Sequence, residues 1–338
     1  MIHFVTTRDH GYTFRHLVPR LGADVARRWT YEKLFHRRAL PGGTWVFCDQ
    51  ERLSPHELAL AARIAHHLRA GGARVLNDPA RVVGRGELLR RLKAAGINRF
   101  SAWRADADPR PDTFPVFIRN EYDHRVGTPR LLASQAELDA ELLRLRAQGY
   151  PLAGKLVIEY AGEEVAPGLW QRLQTYCVGG VIIAHTCAVD FKWVVKDLKD
   201  HARLEAHPHF DRILADEQAF IYGNLHAEAL RRAFAVAEID YGRADFALVG
   251  GHPQIYEINT NPTHADHAKL FRQIHPRRRE VQRFSEDAVH AALRALDSAG
   301  AGPIAIEDEM LPRASRSRRA WWQRLLRHPA PAPRLPRP

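Results

Sequence analysis

The chain has 338 residues, enough for two domains and more than one apolar core. Its hydrophobic fraction of 45% excludes wholesale disorder, and no apolar run reaches the roughly eighteen residues of a membrane span. Of the formal net charge of +11, the stretch after residue 300 supplies +5, from eight arginines against Glu307, Asp308 and Glu309. The first 300 residues are only mildly basic, which favours anionic partners without choosing among nucleotide, phosphate, nucleic acid and lipid.

Met1 to Thr7 lacks the basic and long apolar regions of a secretion signal and reads as a first strand. Cys48, Cys177 and Cys187 have no CxxC spacing and suit buried, reduced thiols in a cytoplasmic protein. Thr44–Cys48 is a strand, followed by Ser54-Pro55-His56-Glu57, a helix start with an N-cap, a first-turn proline and a capping glutamate. That helix should run to Ala70, before Gly71-Gly72. Arg74–Asn77 is the next strand and Glu87–Ala95 the next helix, closed by Gly96. This order predicts a small parallel α/β domain over residues 1–104.

From Phe114 the pattern changes. Phe114–Arg119 and Lys155–Tyr160 read as strands around a helix, Ser134–Gln148, with Ser134 and Glu137 as its capping pair. Gln174–Ala188 and Phe191–Val195 are β-rich, with Gly179-Gly180 as a turn. Helices follow at Asp216–Ile221, His226–Ile239 and Glu280–Leu296. Between the last two, strands Arg243–Val249 and Gln254–Asn259 flank Gly250-Gly251-His252-Pro253, the strongest hairpin signal in the chain. Residues 105–300 form the second domain, with a central subdomain over about 112–165 and a C-terminal subdomain over about 166–300. Residues 301–338, rich in Pro, Arg and Ala, read as a disordered basic tail. Within it, Arg318–Arg327 has the pattern of a short amphipathic helix able to touch an anionic surface.

The hairpin carries the chemistry. Residues i and i+2 of a strand share a face, so Glu257 and Asn259 point the same way, and a turn near Gly251 sets Asp245 roughly opposite Glu257. Three hard oxygen donors on one face suit Mg2+, which completes its shell with water and phosphate oxygens. A merely solvent-facing hairpin would alternate in the same way.

Tyr241-Gly242-Arg243-Ala244-Asp245 followed by Tyr256-Glu257-Ile258-Asn259-Thr260-Asn261-Pro262 resembles the terminal motif of the ATP-grasp superfamily, which includes glutathione synthetase and ribosomal-protein glutamate ligases. The resemblance implies an ATP-grasp fold of α/β (α+β) class behind a parallel α/β domain. It implies ATP and Mg2+, with Mn2+ as an alternative, and activation of a small-molecule or peptide carboxylate as an acyl phosphate for an amine or similar nucleophile. By the same resemblance Asp245, Glu257 and Asn259 hold the metal and Arg243 stabilises the oxyanion. Glu159 and Tyr160 hold the adenine, and Glu164, in preference to Glu163, binds the ribose. The two positions that are usually lysine on the phosphates are Arg85 and Arg119 here, and arginine binds phosphate bidentately. Lys196, in preference to Lys192, supplies an ammonium. The phosphate-covering loop, Glu121–Thr128, has one glycine, so His124 and Arg125 are its candidate phosphate or substrate groups. His264 and His267 read as surface or capping residues, or as liners of the acceptor pocket. No helix-turn-helix or aromatic-interleaved basic platform points to sequence-specific nucleic-acid binding. The two arginine replacements and the glycine-poor loop leave a second reading, a non-catalytic ATP-binding or interaction protein.

Overall fold

The computed structural model describes residues 1–122, 128–196, 200–298 and 302–311. Near the N-terminus lie β1 (Ile2–Thr6), α1 (Leu17–Leu21), β2 (Ala26–Thr30), α2 (Tyr31–Leu34), a two-residue β3 (Ala39–Leu40) and β4 (Thr44–Phe47). Then come α3 (Pro55–Ala70), β5 (Arg74–Leu76) and α4 (Arg85–Ala94). Four of these strands form a parallel sheet in the order β2-β1-β4-β5. The helix α3 starts where its sequence says: the Ser54 hydroxyl accepts from the Glu57 amide, and the Glu57 carboxylate accepts from the Ser54 amide.

The middle of the chain holds β6 (Ala102–Arg104), β7 (Val116–Asn120), α5 (Gln135–Ala147) and β8 (Lys155–Glu159), with the strands in an antiparallel sheet ordered β6-β8-β7. Ala102–Arg104, just ahead of the expected boundary at 105, pairs with β8 of the central sheet.

Next come β9 (Glu164–Ala166), β10 (Leu169–Val178), β11 (Val181–Asp190), α6 (His201–Glu205), α7 (Phe210–Tyr222), α8 (Ala227–Ala237), β12 (Tyr241–Val249), β13 (His252–Asn259), α9 (His267–Gln273) and α10 (Arg279–Arg294). Their antiparallel sheet has the order β11-β10-β12-β13, with β9 on β10. Two glycine pairs make its tight hairpins. Gly179 and Gly180 join β10 to β11, and Gly250 and Gly251 join β12 to β13, all with positive φ, as a two-residue turn between right-twisted strands requires. The β-rich stretch at Phe191–Val195 forms a bend rather than a strand.

Alternation divides this sheet between two jobs. Ala244 and Phe246 face the cluster built with α7 and α8, which also takes in Leu88 and Leu92 of α4. Tyr241 is on the opposite face, packed with Phe4, Phe14 and the α10 residues Val289 and Leu293. That second cluster joins the N-terminal sheet to the C-terminal subdomain. Asn77, at the end of β5, fastens the same junction: its Nδ2 donates to the Tyr241 carbonyl at 2.7 Å, and its Oδ1 accepts from the Asp240 and Tyr241 amides.

Residues 302–311 correct the expectation of a disordered tail from 301. There β14 (Ile304–Ala305) pairs with β3, and Ile306 and Leu311 are buried with Trp45, Phe47 and the α3 residues Leu60, Ile64 and Leu68 of the N-terminal core. The Asp308 carboxylate accepts from Arg63 at 2.7 Å and pairs with His67 at 3.2 Å. The remainder of the tail, including Arg318–Arg327, lies outside the described residues. Among the described residues no helix is long and apolar enough to cross a membrane.

Candidate nucleotide and metal site

The register of β12 and β13 puts Asp245 directly opposite Glu257 and Arg243 directly opposite Asn259. Opposite residues and residues two apart share a face, so all four side chains stand together. On the other side of β12, Gln174 of β10 is opposite Asp245, and Tyr176 is opposite Arg243. A polar patch on three adjacent strands thus begins where the packing of Tyr241 and Tyr176 on the N-terminal domain ends.

Guanidinium groups neutralise the two carboxylates. Asp245 is buried; its Oδ1 accepts from Arg243 Nε at 3.2 Å and Gln174 Nε2 at 3.1 Å, and its Oδ2 from Arg172 Nη1 at 3.2 Å. Glu257 Oε2 accepts from Arg85 Nη2 at 2.6 Å and Arg119 Nη2 at 3.2 Å. Asn259 Oδ1 accepts from the Asn261 amide at 2.7 Å. Burial works against the charge on Arg243, but Asp245 and Tyr176 outweigh it, and the guanidinium pKa is raised. Burial pushes the Tyr176 hydroxyl up to about 12, so it stays a neutral hydrogen-bonding group.

Asp245, Glu257, Arg172, Arg85 and Arg119 line one wall of a cavity of about 380 Å3 between the central and C-terminal subdomains, and Asn259 lines a smaller cavity that shares Arg85 and Glu257 with it. The other end of the larger cavity is aromatic. Phe117 and Tyr160 flank Trp193 at centroid distances of 5.1 and 5.3 Å, and Trp170 Nε1 donates to the Tyr160 hydroxyl at 3.0 Å. Lys196 lines the cavity and Lys192 does not.

The acidic candidates stand in different surroundings. Glu164 does not line the cavity: its carboxylate accepts from the Gly168 amide at 2.8 Å across the turn after β9, whereas Glu163 lines it and accepts from the Gly250 amide at 2.6 Å. Glu159 lines the cavity, but its carboxylate is occupied by the Ser101 amide at 2.6 Å and the Thr113 amide at 3.1 Å. Its side chain therefore fastens the segments flanking β6 and β7 and is not a free acceptor. His124 and Arg125 lie outside the described residues.

Sequence reasoning missed Arg172 and Gln174. They sit two apart on one strand, a legible sign of a shared face, but nothing local says which strand lies beside them. His264 is taken up in packing: Nε2 is 2.9 Å from the Tyr241 hydroxyl, its ring stacks on Tyr176, and burial lowers its pKa to about 3. His267 pairs with Glu286 at 2.9 Å. Burial raises the Cys177 and Cys187 thiols to about 11 and about 12, which removes them as nucleophiles at neutral pH.

The donor set fits magnesium in kind: two carboxylates and an amide oxygen on one face, with room beside them for phosphate. Among the described residues no three His, Cys, Asp or Glu side chains gather to hold a metal by themselves.

No family model matches the sequence, and no curated protein matches it significantly. Solved structures do match in shape. The ATP-grasp ligase PsnB complexed with minimal precursor is 12% identical, with a TM-score of 0.50 over 87% of this chain and 98% of that one. The RimK domain ATP-grasp protein from Sphaerobacter thermophilus is 14% identical, with a TM-score of 0.48 over 88% of this chain and 100% of that one. The D-alanine–D-alanine ligase from Bacillus anthracis complexed with ATP is 14% identical, with a TM-score of 0.46 over 88% of this chain and 95% of that one. At such identities the likeness is one of fold. With its parallel N-terminal sheet, three-stranded central sheet and antiparallel C-terminal sheet, this chain has the ATP-grasp fold.

Proposed function

We propose that the protein is an ATP- and magnesium-dependent ligase that activates a carboxylate as an acyl phosphate for attack by an amine. The observation that carries this reading is the face shared by Arg243, Asp245, Glu257 and Asn259, whose Asp245 and Glu257 line a cavity that is aromatic at one end and cationic at the other. The aromatic end, Phe117, Tyr160, Trp170 and Trp193, suits a purine ring, and Glu163 suits ribose hydroxyls. Asp245, Glu257 and Asn259 would hold magnesium, which when bound spreads the charge of the phosphate oxygens.

The protein's own groups do the rest. Arg85, Arg119 and Lys196 bind and orient the triphosphate, and Arg85 and Arg119 exchange a carboxylate partner for phosphate oxygens of the same geometry. The substrate carboxylate attacks the γ-phosphorus, forming a C–O–P link as ADP leaves. The amine then attacks the carbonyl carbon, forming the C–N bond as phosphate leaves. Arg243, fixed by Asp245 and half-buried, faces the oxygen that becomes negative in that step. Positioning and charge supply the acceleration, and no Ser or Cys nucleophile is needed.

The test is ADP release and hydroxamate formation with ATP, MgCl2, hydroxylamine and a panel of amino acids, dipeptides and dicarboxylates. Carboxylate-dependent release that disappears in Asp245→Ala and Glu257→Ala supports the reading. Undiminished release in both variants refutes the residue roles. A second reading, a non-catalytic nucleotide-binding protein, draws on the guanidinium pairing that already neutralises both carboxylates. Tight binding of ATP without ADP release on any carboxylate would favour it.

A further inference from the structure

The positive charge of the first 300 residues is concentrated at their start. Residues 1–40 carry eight cations, seven arginines and Lys33, against Asp9, Asp24 and Glu32, a net of +5 that leaves only +1 for residues 41–300. Arg20 pairs with Asp287 at 3.0 Å, and Arg38 donates to the Leu311 carbonyl at 3.3 Å. The other six, Arg8, Arg15, Arg27, Arg28, Lys33 and Arg37, are exposed. Among the described residues no carboxylate stands within ion-pair distance of any of their side chains.

The fold gathers five of these six along one edge. The outermost strand of the parallel sheet is β2, with the sequence Ala26-Arg27-Arg28-Trp29-Thr30. Alternation sends Arg27 and Trp29 to one face and Arg28 to the other, so the cations straddle the edge. Arg28 Nη1 donates to the Gly11 carbonyl at 2.5 Å. Thr30 ends the strand and caps α2, its hydroxyl accepting from the Lys33 amide at 3.4 Å, and the Arg8 amide donates to Glu32 at 3.4 Å. The backbones of Arg8 and Lys33 are thereby held at the carboxyl end of the same strand. Arg37 returns to the strand from beyond α2. Its guanidinium carbon lies 5.9 Å from the centre of the Trp29 ring, and that of Arg27 lies 5.5 Å from it.

Stacking on an indole holds a guanidinium by its face and leaves outward the N–H edge that pairs bidentately with a carboxylate. The indole itself is used within the patch and is not a platform for a nucleobase. Its Nε1 donates to His3 Nδ1 at 3.1 Å, Trp45 lies 5.4 Å from it, and the two guanidiniums lie over the ring. The strand spans five residues, about 17 Å, the reach of a similar length of extended peptide.

We propose that this edge is a docking surface for an acidic peptide, a run of Asp and Glu lying along β2 with its carboxylates on Arg27, Arg28 and Arg37. Charge complementarity identifies the partner. Such an excess of cations repels basic segments, gives neutral ones no electrostatic gain, and offers N–H forks to carboxylates. The surface is separate from the nucleotide cavity, since none of these residues lines it. Docking here does not require the ligase activity.

The experiment uses the whole protein and a fluorescein-labelled peptide of alternating Glu and Gly. The same peptide with Gln for Glu is the neutral match, and a single-stranded DNA of equal charge is the competing polyanion. Binding is read by fluorescence anisotropy at low and high NaCl. The Glu peptide should bind the wild type more tightly than the Gln peptide or the DNA, and should lose affinity as salt rises. The double variant Arg27→Ser/Arg37→Ser should weaken it by about tenfold, the loss of two exposed charge pairs. Arg27→Lys/Arg37→Lys keeps the charge without the planar fork and should fall between. Melting curves check that both variants fold, and AMPPNP affinity should stay at the wild-type value. A Glu peptide that binds the serine variant as well as the wild type, that is matched by the Gln peptide, or that is bound less tightly than the DNA overturns the assignment. AMPPNP that binds none of the proteins overturns the ligase reading instead, whatever the peptide does.

Discussion

The two cavities on either side of the Arg85–Glu257 pair are built from different material. The larger is walled by tryptophan, tyrosine and phenylalanine and by Arg119, Arg172 and Lys196; the smaller is walled by carboxylates and strand-end loops. The first comes from two antiparallel sheets facing each other, the second from the carboxyl edge of a parallel sheet meeting the end of β13. One hairpin serves both, since Glu257 lines both cavities and Asn259 and Thr260 line the second. A sheet that alternates polar and apolar residues can be buried on one face and reactive on the other. The difference between the cavities is one of charge: guanidinium and ammonium groups beside aromatic rings in the first, mostly carboxylates in the second.

The sharpest way to break this division is at the shared hairpin. Asp245→Ala and Glu257→Ala should each reduce carboxylate-driven ADP release by about 100-fold or more, since each removes a preorganised charge at the reacting centre. Arg243→Gln should lower kcat by about 100-fold while leaving the KM for ATP near its wild-type value, because the oxyanion develops only in the transition state. Equal loss in KM would move Arg243 to the binding side.

The aromatic end should respond in binding alone. Trp193→Ala should cost about 1–3 kcal/mol of AMPPNP affinity, measured by calorimetry. Gly242 tests the hairpin itself: a Cβ there would lie 2.9 Å from the Asn259 carbonyl oxygen, so Gly242→Ala must push β13 away from β12. Chemical denaturation should show a loss of about 1–3 kcal/mol.

The junction beneath both cavities should affect stability rather than ligands. His264 has a folded pKa of about 3, against an unfolded value of about 6.5. Its neutral form is fully compatible with folding above pH 6.5. As the pH falls from there toward 3, the unfolded chain takes up a proton that the folded one refuses, and stability falls by about 1.4 kcal/mol per pH unit. His264→Gln, measured by denaturation at several pH values, should show a shallower acid slope and unchanged AMPPNP affinity.

Much of this was written locally in the chain. The glycine pairs mark the hairpins, and period-two alternation alone puts Asp245, Glu257 and Asn259 on one face, as the register has them. The capping box of α3 was legible because its partners are three residues apart. What could not be read was non-local. Arg172 and Gln174 reach Asp245 only because β10 lies beside β12, a pairing across about 70 residues. Glu163 and Glu164 were distinguishable only by where the chain enters β9, since one residue of offset exchanges cavity for solvent. The docking of Ile304 and Ile306 was hidden by the Pro- and Arg-rich composition around them, although their alternation was a short strand signal.

The most direct test of the central claim is titration of AMPPNP into the wild type and Glu257→Ala, each with and without MgCl2. The account predicts that magnesium tightens AMPPNP binding to the wild type and that this dependence disappears in Glu257→Ala. Binding that ignores magnesium in the wild type, or that responds to magnesium equally in both proteins, would contradict the assignment of the Asp245–Asn259 hairpin as the metal end of a nucleotide site.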